Sequence, residues 1–427
     1  MVIVMFLIFA LTAAFGVPII FALAMGAFTY LLTQPAMLLI VPQRMVSPFE
    51  SFTFVAIPLF ILTGEIMNTG GVTRRLINLS KVLVGRFKGG LAYVNVVVSM
   101  FFGGIQGLAT ADTAAIGSVL IPAMKKAGYD PAFSTALTVA SATIGAIIPP
   151  SVLMIIFGMV TGISIGNLFL GGLVPGVIIG LAQMVYIFLY GKARTTRAYV
   201  PAGERIDCRT SLRYIGESIP ALVLPLIIIG GIGFGIFTPT ESAGIAAIYA
   251  LFISLMTGEL KPGAIPSLLF RAAKMAGSVM LILGTASVFA WILTVERVPN
   301  QLTNALFAIS TNRYVILFLL NVALIVIGTF MDPTPSAIIL GPILVPLLTD
   351  MGMDPVHIGV FICFNLILGH TTPPVGTCLY IASGISGLSI EKISKAMIPL
   401  LVVNFITLMA ITYIPELVLF LPRLMGY

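Results

Sequence analysis

Apolar segments of helical length follow one another along nearly the whole chain, separated by short polar or basic stretches. This pattern predicts helices at about 1–15, 17–33, 51–67, 91–104, 113–124, 131–148, 151–163, 165–191, 217–236, 239–257, 275–295, 314–328, 335–349, 355–369, 376–387 and 396–421. Crossing a bilayer core takes about 20 apolar residues, so several of these helices are too short to cross alone. The stretches 36–50, 71–88 and 261–274 are amphipathic or basic, which indicates segments that lie along the membrane surface.

One part of the chain recurs at an offset of 224 residues, which takes Pro122 to Pro346. Nine Gly, Pro and Asp positions match at this offset without a gap, namely Gly104, Gly117, Pro122, Gly128, Asp130, Pro131, Gly145, Pro149 and Pro150. A match at one fixed spacing indicates two copies of the same structural unit.

Each copy contains two short apolar segments around a polar, Gly-rich bend, which predicts re-entrant helical hairpins at 91–125 and 314–350. Each hairpin is followed by an Asp-Pro turn and then by a helix that a Pro-Pro pair interrupts, at 131–163 and at 355–387. Irregular backbone at membrane depth is costly unless it lines a cavity. The two hairpin tips and the two broken helices are therefore predicted to share one internal site.

The distribution of charge predicts that the two copies have opposite orientations. Hairpin 91–125 is bracketed by basic residues, which the positive-inside rule places in the cytoplasm: Arg86, Lys88, Lys125 and Lys126. Hairpin 314–350 is bracketed by Arg313 on one side and by Asp350 and Asp354 on the other, so it is predicted to open outward. An odd number of predicted crossings separates the hairpins, in agreement with inverted repeats of the kind found in secondary transporters.

This organisation divides the chain into four parts. Residues 1–50 form scaffold helices and an interfacial arm, and 51–191 form repeat one, with a transport domain mainly at 88–163. Residues 192–274 contain a cytoplasmic loop, scaffold helices and a second arm, and 275–427 form repeat two. The predicted fold class is an all-α polytopic membrane protein.

Composition supports this interpretation and excludes others. Of the 427 residues, 59% are hydrophobic and only 9% are charged, and the mean hydropathy is +1.13. The net charge of +7 lies in loops, so we interpret it as a topology signal and expect no nucleic-acid partner. The three cysteines have no metal-ligand spacing, and no phosphate loop or zinc-protease motif occurs. We expect a protein that is not an enzyme.

Polar residues in the two repeats are the candidates for binding an anion and a cation. For the substrate they are Gln106, Thr110, Asp112, Asp332 and Thr334, at the two hairpin tips. A carboxylate within a membrane segment is expensive and thus a functional candidate, which adds Glu65 and Glu241. For Asp112 and Asp332 a second role stays open, because a carboxylate at that point can cap the second helix of the hairpin.

Several strings in the chain resemble one family. They are AIPLF at 56–60, GEIM at 64–67, ATADTAA at 109–115, IIPPS at 147–151, FTPTE at 237–241 and TPPVG at 372–376. The chain resembles the large membrane subunit of tripartite ATP-independent periplasmic (TRAP) transporters over essentially its whole length. The resemblance implies a multi-pass protein of the bacterial inner membrane that imports an organic acid with sodium by an elevator mechanism. It also implies two partners, a periplasmic substrate-binding protein and a small four-helix membrane subunit.

The resemblance further implies two sodium sites, each between a hairpin tip and its broken helix. For the first site we expect ligands among Gly104, Thr110, Asp112, Thr143, Gly145, Ile148 and Ser151. For the second site we expect Gly328, Asp332, Asn365, Gly369, Thr372 and Gly376. Members that carry sialic acid often have Ser-Gly-Ser in the first tip, where this chain has Gln106-Gly107-Leu108. C4-dicarboxylates, sialic acid, other sugar acids and keto acids therefore all stay open as substrates.

Three other functions are compatible with the same residues. A stand-alone sodium-coupled carboxylate symporter would need neither partner. An intramembrane enzyme would use Asp112, Asp332 and His370 as acid and base groups. A channel is the third possibility, although an inverted pair of hairpins suits alternating access better than an open pore.

Overall fold

The computed structural model of the chain describes residues 1–192, 201, 203, 206–310 and 312–427, without the side chains of 35, 36, 104–106, 192, 303, 304, 306 and 307. Most of the predicted cytoplasmic loop therefore lies outside the described residues. The helices are α1 (Val2–Ala14), α2 (Ile19–Leu31), α3 (Val41–Val46), α4 (Ala56–Thr69), α5 (Val72–Val84), α6 (Gly90–Gln106), α7 (Ala109–Lys126), α8 (Pro131–Ile147), α9 (Val152–Thr161) and α10 (Ile165–Lys192). They continue as α11 (Cys208–Gly233), α12 (Pro239–Met256), α13 (Ile265–Val295), α14 (Val298–Ile309), α15 (Arg313–Phe330), α16 (Pro333–Asp350), α17 (Pro355–His370), α18 (Thr377–Ser386), α19 (Ile390–Tyr413) and α20 (Glu416–Leu424).

The fold is all-helical and polytopic, as the sequence predicts. Within the described part of the chain, eight helices are long and apolar enough to cross a membrane. A ninth span is the pair α8 and α9, which is bent by 44° at its break. Large apolar side chains on the outer helices are exposed, among them Phe21 on α2 and Leu226 on α11, as expected for a surface that faces lipid or a membrane partner.

The helices of the two copies have matching lengths and breaks. The bounds of α6 to α9 recur in α15 to α18 at the offset of 224 residues, to within one residue at each end. An Asp side chain caps the helix after each hairpin: Asp130 accepts from the Ala132 N–H at 3.0 Å and Asp354 from the Val356 N–H at 2.8 Å. The inverted orientation of the two copies stays a prediction.

The two copies are interlocked. The second half of each broken helix packs against the hairpin of the other copy, α9 against α16 and α18 against α7. The first halves, α8 and α17, contact each other and are buried on every face, from Phe133 to Ile147 and from Val356 to His370. The broken helices therefore lie at the centre of the molecule, where their irregular backbone is shielded from lipid.

Three regions differ from the pattern that the sequence predicts. The basic stretch 261–274 is not a separate surface segment, because α13 begins at Ile265 and continues through it to Val295. The predicted helix 396–421 is two helices, since α19 ends at Tyr413 and α20 begins at Glu416. Helix α14 is absent from the predicted set, because polar residues interrupt its apolar positions; it follows α13 as α5 follows α4.

An ion-pair cluster fixes the arm α5 against the loop after α12. The Glu259 carboxylate lies 3.0 Å from Arg75 Nη2 and 3.5 Å from Arg74 Nη2. It also fills the space above Gly71, which has a φ of +71°. Because Arg74, Arg75, Lys81 and Arg86 occur here, the positive-inside rule assigns this end of α4 and α13 to the cytoplasm.

The inverted orientation can be tested by labelling. In a Cys208→Ser background, Lys126→Cys at the end of α7 should react with an impermeant thiol reagent from the cytoplasmic side only. Asp350→Cys at the equivalent end of α16 should react from the periplasmic side only. Both positions are exposed, and the remaining cysteines, Cys363 and Cys378, are buried. Labelling of both positions from the same side would contradict inverted repeats.

Candidate ion and substrate site

The first hairpin tip touches the break of the first broken helix through glycines. Gly107 joins α6 to α7 with a φ of +60°, and a Cβ there would collide with the Pro150 carbonyl oxygen. One turn earlier, a Cβ on Gly103 would lie 2.7 Å from the Gly145 Cα. Only glycine allows backbone to approach backbone this closely, so the tip and the break form one unit.

The second tip meets the second break in a similar way. A Cβ on Gly369 would lie 2.7 Å from the Gly328 Cα, and the Gly376 N–H donates to the Thr329 carbonyl at 3.2 Å. The structure thus brings together the predicted second-site residues Gly328, Gly369 and Gly376.

Asp112 is the most unusual polar group in this region. It is 2% exposed, and neither carboxylate oxygen has a hydrogen-bond partner among the described residues. The Ser99 hydroxyl lies beside it, but that hydroxyl donates to Ser141 Oγ at 3.2 Å. Across the gap, a Cβ on Gly145 would lie 2.9 Å from Asp112 Oδ2. A buried carboxylate without a donor is expensive, which makes this position a strong candidate for a bound cation.

The two aspartates at the tips have different local roles. Asp332 precedes α16 and caps it, because its Oδ1 accepts from the Thr334 N–H at 2.9 Å. Asp112 is the fourth residue of α7 and caps nothing. The second site instead has the buried Asn365, whose Nδ2 donates to the Phe361 carbonyl at 2.8 Å and whose Oδ1 has no partner in the described part of the chain.

The breaks leave backbone carbonyls without their helical donors. The N–H groups that would bond the Gly145 and Ala146 carbonyls belong to positions 149 and 150, and both residues are prolines. Ser151 then caps α9 by accepting from the Met154 N–H at 3.4 Å. In the second copy, the Gly369 carbonyl accepts from the Thr372 N–H at 2.8 Å, and the Thr372 hydroxyl donates to the Leu368 carbonyl at 2.6 Å.

A polar network behind the first break holds Thr143. Its hydroxyl donates to the Ala140 carbonyl at 2.7 Å and receives the Asn404 amide at 3.4 Å. Gln183 links the same groups, since its amide donates to both the Ala140 carbonyl and Asn404 Oδ1 at 2.9 Å. These contacts fix α8 against α10 and α19. The predicted residues Gly104 and Gln106 lie outside the part whose side chains are described.

A cavity of about 500 Å³ lies between the two tips. Predicted residues Thr110, Asp332 and Thr334 line it, whereas Asp112 lies buried behind the tip. His370, a further candidate, lines it as well. Glu241 is not among its lining residues; its carboxylate accepts from the Thr238 N–H at 2.8 Å in a capping box at the start of α12.

Sequence reasoning found only one residue of a further wall of this cavity. That wall is formed by α4 and α13. It carries Glu65, which is a candidate from the sequence, and three residues that are not, Arg271, Lys274 and Ser278. Arg271, Lys274 and Ser278 are three and four residues apart, so they share one face of a helix. Reading the apolar periodicity back from 275 to 265 would have placed both basic residues on that face.

Two buried helices are broken where glycines of the hairpin tips touch them, around a cavity with a few polar and charged groups. In a helical membrane protein this arrangement is typical of a transporter. The sequence matches the family "Tripartite ATP-independent periplasmic transporter, DctM component" over residues 3–417. The chain belongs to this family. It is therefore a multi-pass subunit of a transporter in the bacterial inner membrane and not an enzyme.

Named relatives are similar over most of their length. The chain is 37% identical to the sialic acid TRAP transporter large permease protein SiaM of Vibrio cholerae, covering 96% of each chain. It is 35% identical to the C4-dicarboxylate TRAP transporter large permease protein DctM of Pseudomonas aeruginosa, covering 94% of this chain and 93% of that one. It is 38% identical to the isethionate TRAP transporter permease protein DctMQ of Oleidesulfovibrio alaskensis, covering 98% of this chain and 66% of that one.

A solved structure shares the fold. The crystal structure of the Alcanivorax borkumensis YdaH transporter superposes with a TM-score of 0.62, covering 86% of each chain at 14% sequence identity. At this identity the likeness concerns the fold alone.

Proposed function

We propose that this chain imports a small organic acid together with sodium, by an elevator movement, as one of three components. The others are a small four-helix membrane subunit and a periplasmic binding protein that delivers the substrate. The observation that carries the proposal is the cavity that joins both hairpin tips to a basic wall.

Sodium coupling is supported by oxygen atoms that lack hydrogen-bond donors. At the first site these are the Asp112 carboxylate and the carbonyls left by the two prolines. At the second site it is Asn365 Oδ1, on α17 one helical turn before Gly369. A small hard cation between each tip and its break would satisfy these oxygens and hold the tip closed.

An organic acid is supported by the cavity and by the relatives. Sialic acid, C4-dicarboxylates and isethionate, which appear in the names of the relatives, are all small anions. The cavity offers them hydroxyls at Thr110 and Thr334 and the basic groups of Arg271 and Lys274.

An elevator movement is supported by the interlocked repeats. Because α9 packs on α16 and α18 on α7, the two repeats are joined to each other, which would let the two tips and the two breaks move as one body. Both proposed ion sites lie inside this body, whereas α4 and α13 on the cavity's far wall would belong to the stationary scaffold.

The proposal is tested by uptake of labelled acids into proteoliposomes that contain this chain and its small subunit. We expect accumulation only with an inward sodium gradient and with the cognate binding protein outside. A potassium gradient of equal size serves as the control. Uptake with sodium but without the binding protein would identify a stand-alone symporter instead. Absence of sodium-dependent uptake with every acid in the panel would contradict the proposal.

A further inference from the structure

Two basic side chains on α13 line the cavity opposite the hairpin tips. Arg271 and Lys274 lie one helical turn apart, and Ser278 continues the same face. Both belong to a helix long and apolar enough to span the membrane, where a charged group is expensive and is retained for a function.

The two basic groups differ in their partners. Arg271 Nε lies 3.2 Å from Glu65 Oε2, and its Nη2 donates to the Thr69 hydroxyl at 3.2 Å. The Glu65 side chain is only 13% exposed, so this carboxylate is largely withdrawn from water. Lys274, in contrast, has no ion-pair partner in the described part of the chain, although it faces the same cavity. The cavity thus contains one cation that is already neutralised and one that is not.

The opposite wall contributes one carboxylate to the cavity, and this group forms no ion pair with Lys274 among the described residues. That carboxylate belongs to Asp332, which is engaged with the Thr334 N–H at the start of α16. An anion that enters between the tips and α13 would therefore find Lys274 available, and it would compete with Glu65 for Arg271.

The position of this basic pair also assigns it to one side of the membrane. It lies in the N-terminal half of α13, close to Lys261 and to the basic arm α5, which the positive-inside rule places in the cytoplasm. We propose that Lys274 and Arg271 form an anion site on the cytoplasmic side of the cavity. This site binds the carboxylate of the transported acid before the acid is released into the cytoplasm. The Glu65 carboxylate competes with that of the acid for Arg271. This inference rests on the proposed function.

The test measures the acid concentration that gives half-maximal exchange, separately on each side of the membrane. It uses proteoliposomes in which the protein has a single orientation and follows the exchange of external acid for internal acid. Lys274→Met should raise the internal half-saturation concentration about tenfold, the loss expected for one charge-assisted hydrogen bond. The external value should change less than about twofold, because the binding protein delivers substrate from the other side. Lys274→Arg should restore the internal value. Lys261→Met, the same substitution at an exposed residue outside the cavity, should change neither value.

Variants of Glu65 and Arg271 distinguish binding of the substrate by Arg271 from a purely structural role of the ion pair. If Glu65 competes with the substrate, Glu65→Gln should lower the internal half-saturation concentration severalfold, while Arg271→Gln should raise it. If the pair only ties α4 to α13, both variants should impair exchange in the same direction. An unchanged internal value in Lys274→Met, with normal sodium-driven uptake, would overturn this inference and leave the proposed function standing. Loss of uptake in the unaltered protein would instead contradict the proposed function.

Discussion

Asp112→Asn should abolish sodium-driven uptake without destabilising the protein. The carboxylate accepts no hydrogen bond from the described residues, so the substitution leaves no existing donor unpaired. It replaces a buried charge with a neutral amide, which costs less to keep out of water. In choline chloride the melting temperature of the variant should therefore equal or exceed that of the unaltered protein. If sodium binds as proposed, it should raise the melting temperature of the unaltered protein but not that of the variant, because a bound ion stabilises only through the site that holds it. Losing a charged ligand worth about 3 kcal/mol lowers sodium affinity more than about 100-fold.

Asp354→Asn is the matched control for this experiment. Asp354 caps α17 outside the cavity, so the substitution should cost at most about 1 kcal/mol of stability. Uptake and the sodium-dependent rise in melting temperature should both persist. A strongly destabilised Asp112→Asn protein in sodium-free buffer would show that the carboxylate is structural, and a retained sodium response would exclude it as an ion ligand.

Gly107→Ala should reduce uptake about 100-fold or more. The left-handed backbone at this position costs an alanine about 1 kcal/mol. The larger effect comes from the Cβ, which would collide with the Pro150 carbonyl oxygen, a backbone atom that no rotamer change can move away. The tip must then shift from the break, and a displacement of about 1 Å at a site of this kind costs about two orders of magnitude in rate.

Gly162→Ala is the control that separates the backbone strain of a positive φ from the steric collision of the added Cβ. Gly162 ends α9 with a φ of +75°, similar to that of Gly107, but a Cβ there would meet no atom within 4 Å. Its alanine variant should therefore carry only the backbone strain and keep uptake within about twofold. Equal losses in the two variants would show that contact between the first tip and the first break is not required for transport.

Much of the fold follows from local properties of the sequence. The lengths of apolar runs predict where helices lie, because a helix satisfies its own backbone wherever lipid surrounds it. Pro149, Pro150, Pro373 and Pro374 predict the two breaks, because proline removes the donor that the preceding turn needs. Asp130 and Asp354, each followed by proline, mark helix starts through their own side chains. All of these features depend on residues within one segment of the chain.

The roles of the tip aspartates could not be read from the same information. Both Asp112 and Asp332 follow a polar bend, yet only Asp332 lies directly before its helix and caps it. What surrounds Asp112 is decided by packing against α6 and α8, which place Ser99 and Gly145 beside it.

The cavity is likewise a property of the tertiary structure. Its basic wall exists because α13 continues through residues 265–274 and packs its polar face toward the tips. The class of protein, most helix positions and the two breaks follow from the sequence alone, because proline, capping and hydropathy act within one segment of the chain. Which carboxylate is left without a donor and which cations face the cavity depends on the folded structure. Those outcomes arise from contacts between different helices, such as that of Asp112 with Gly145 and that of Glu65 with Arg271.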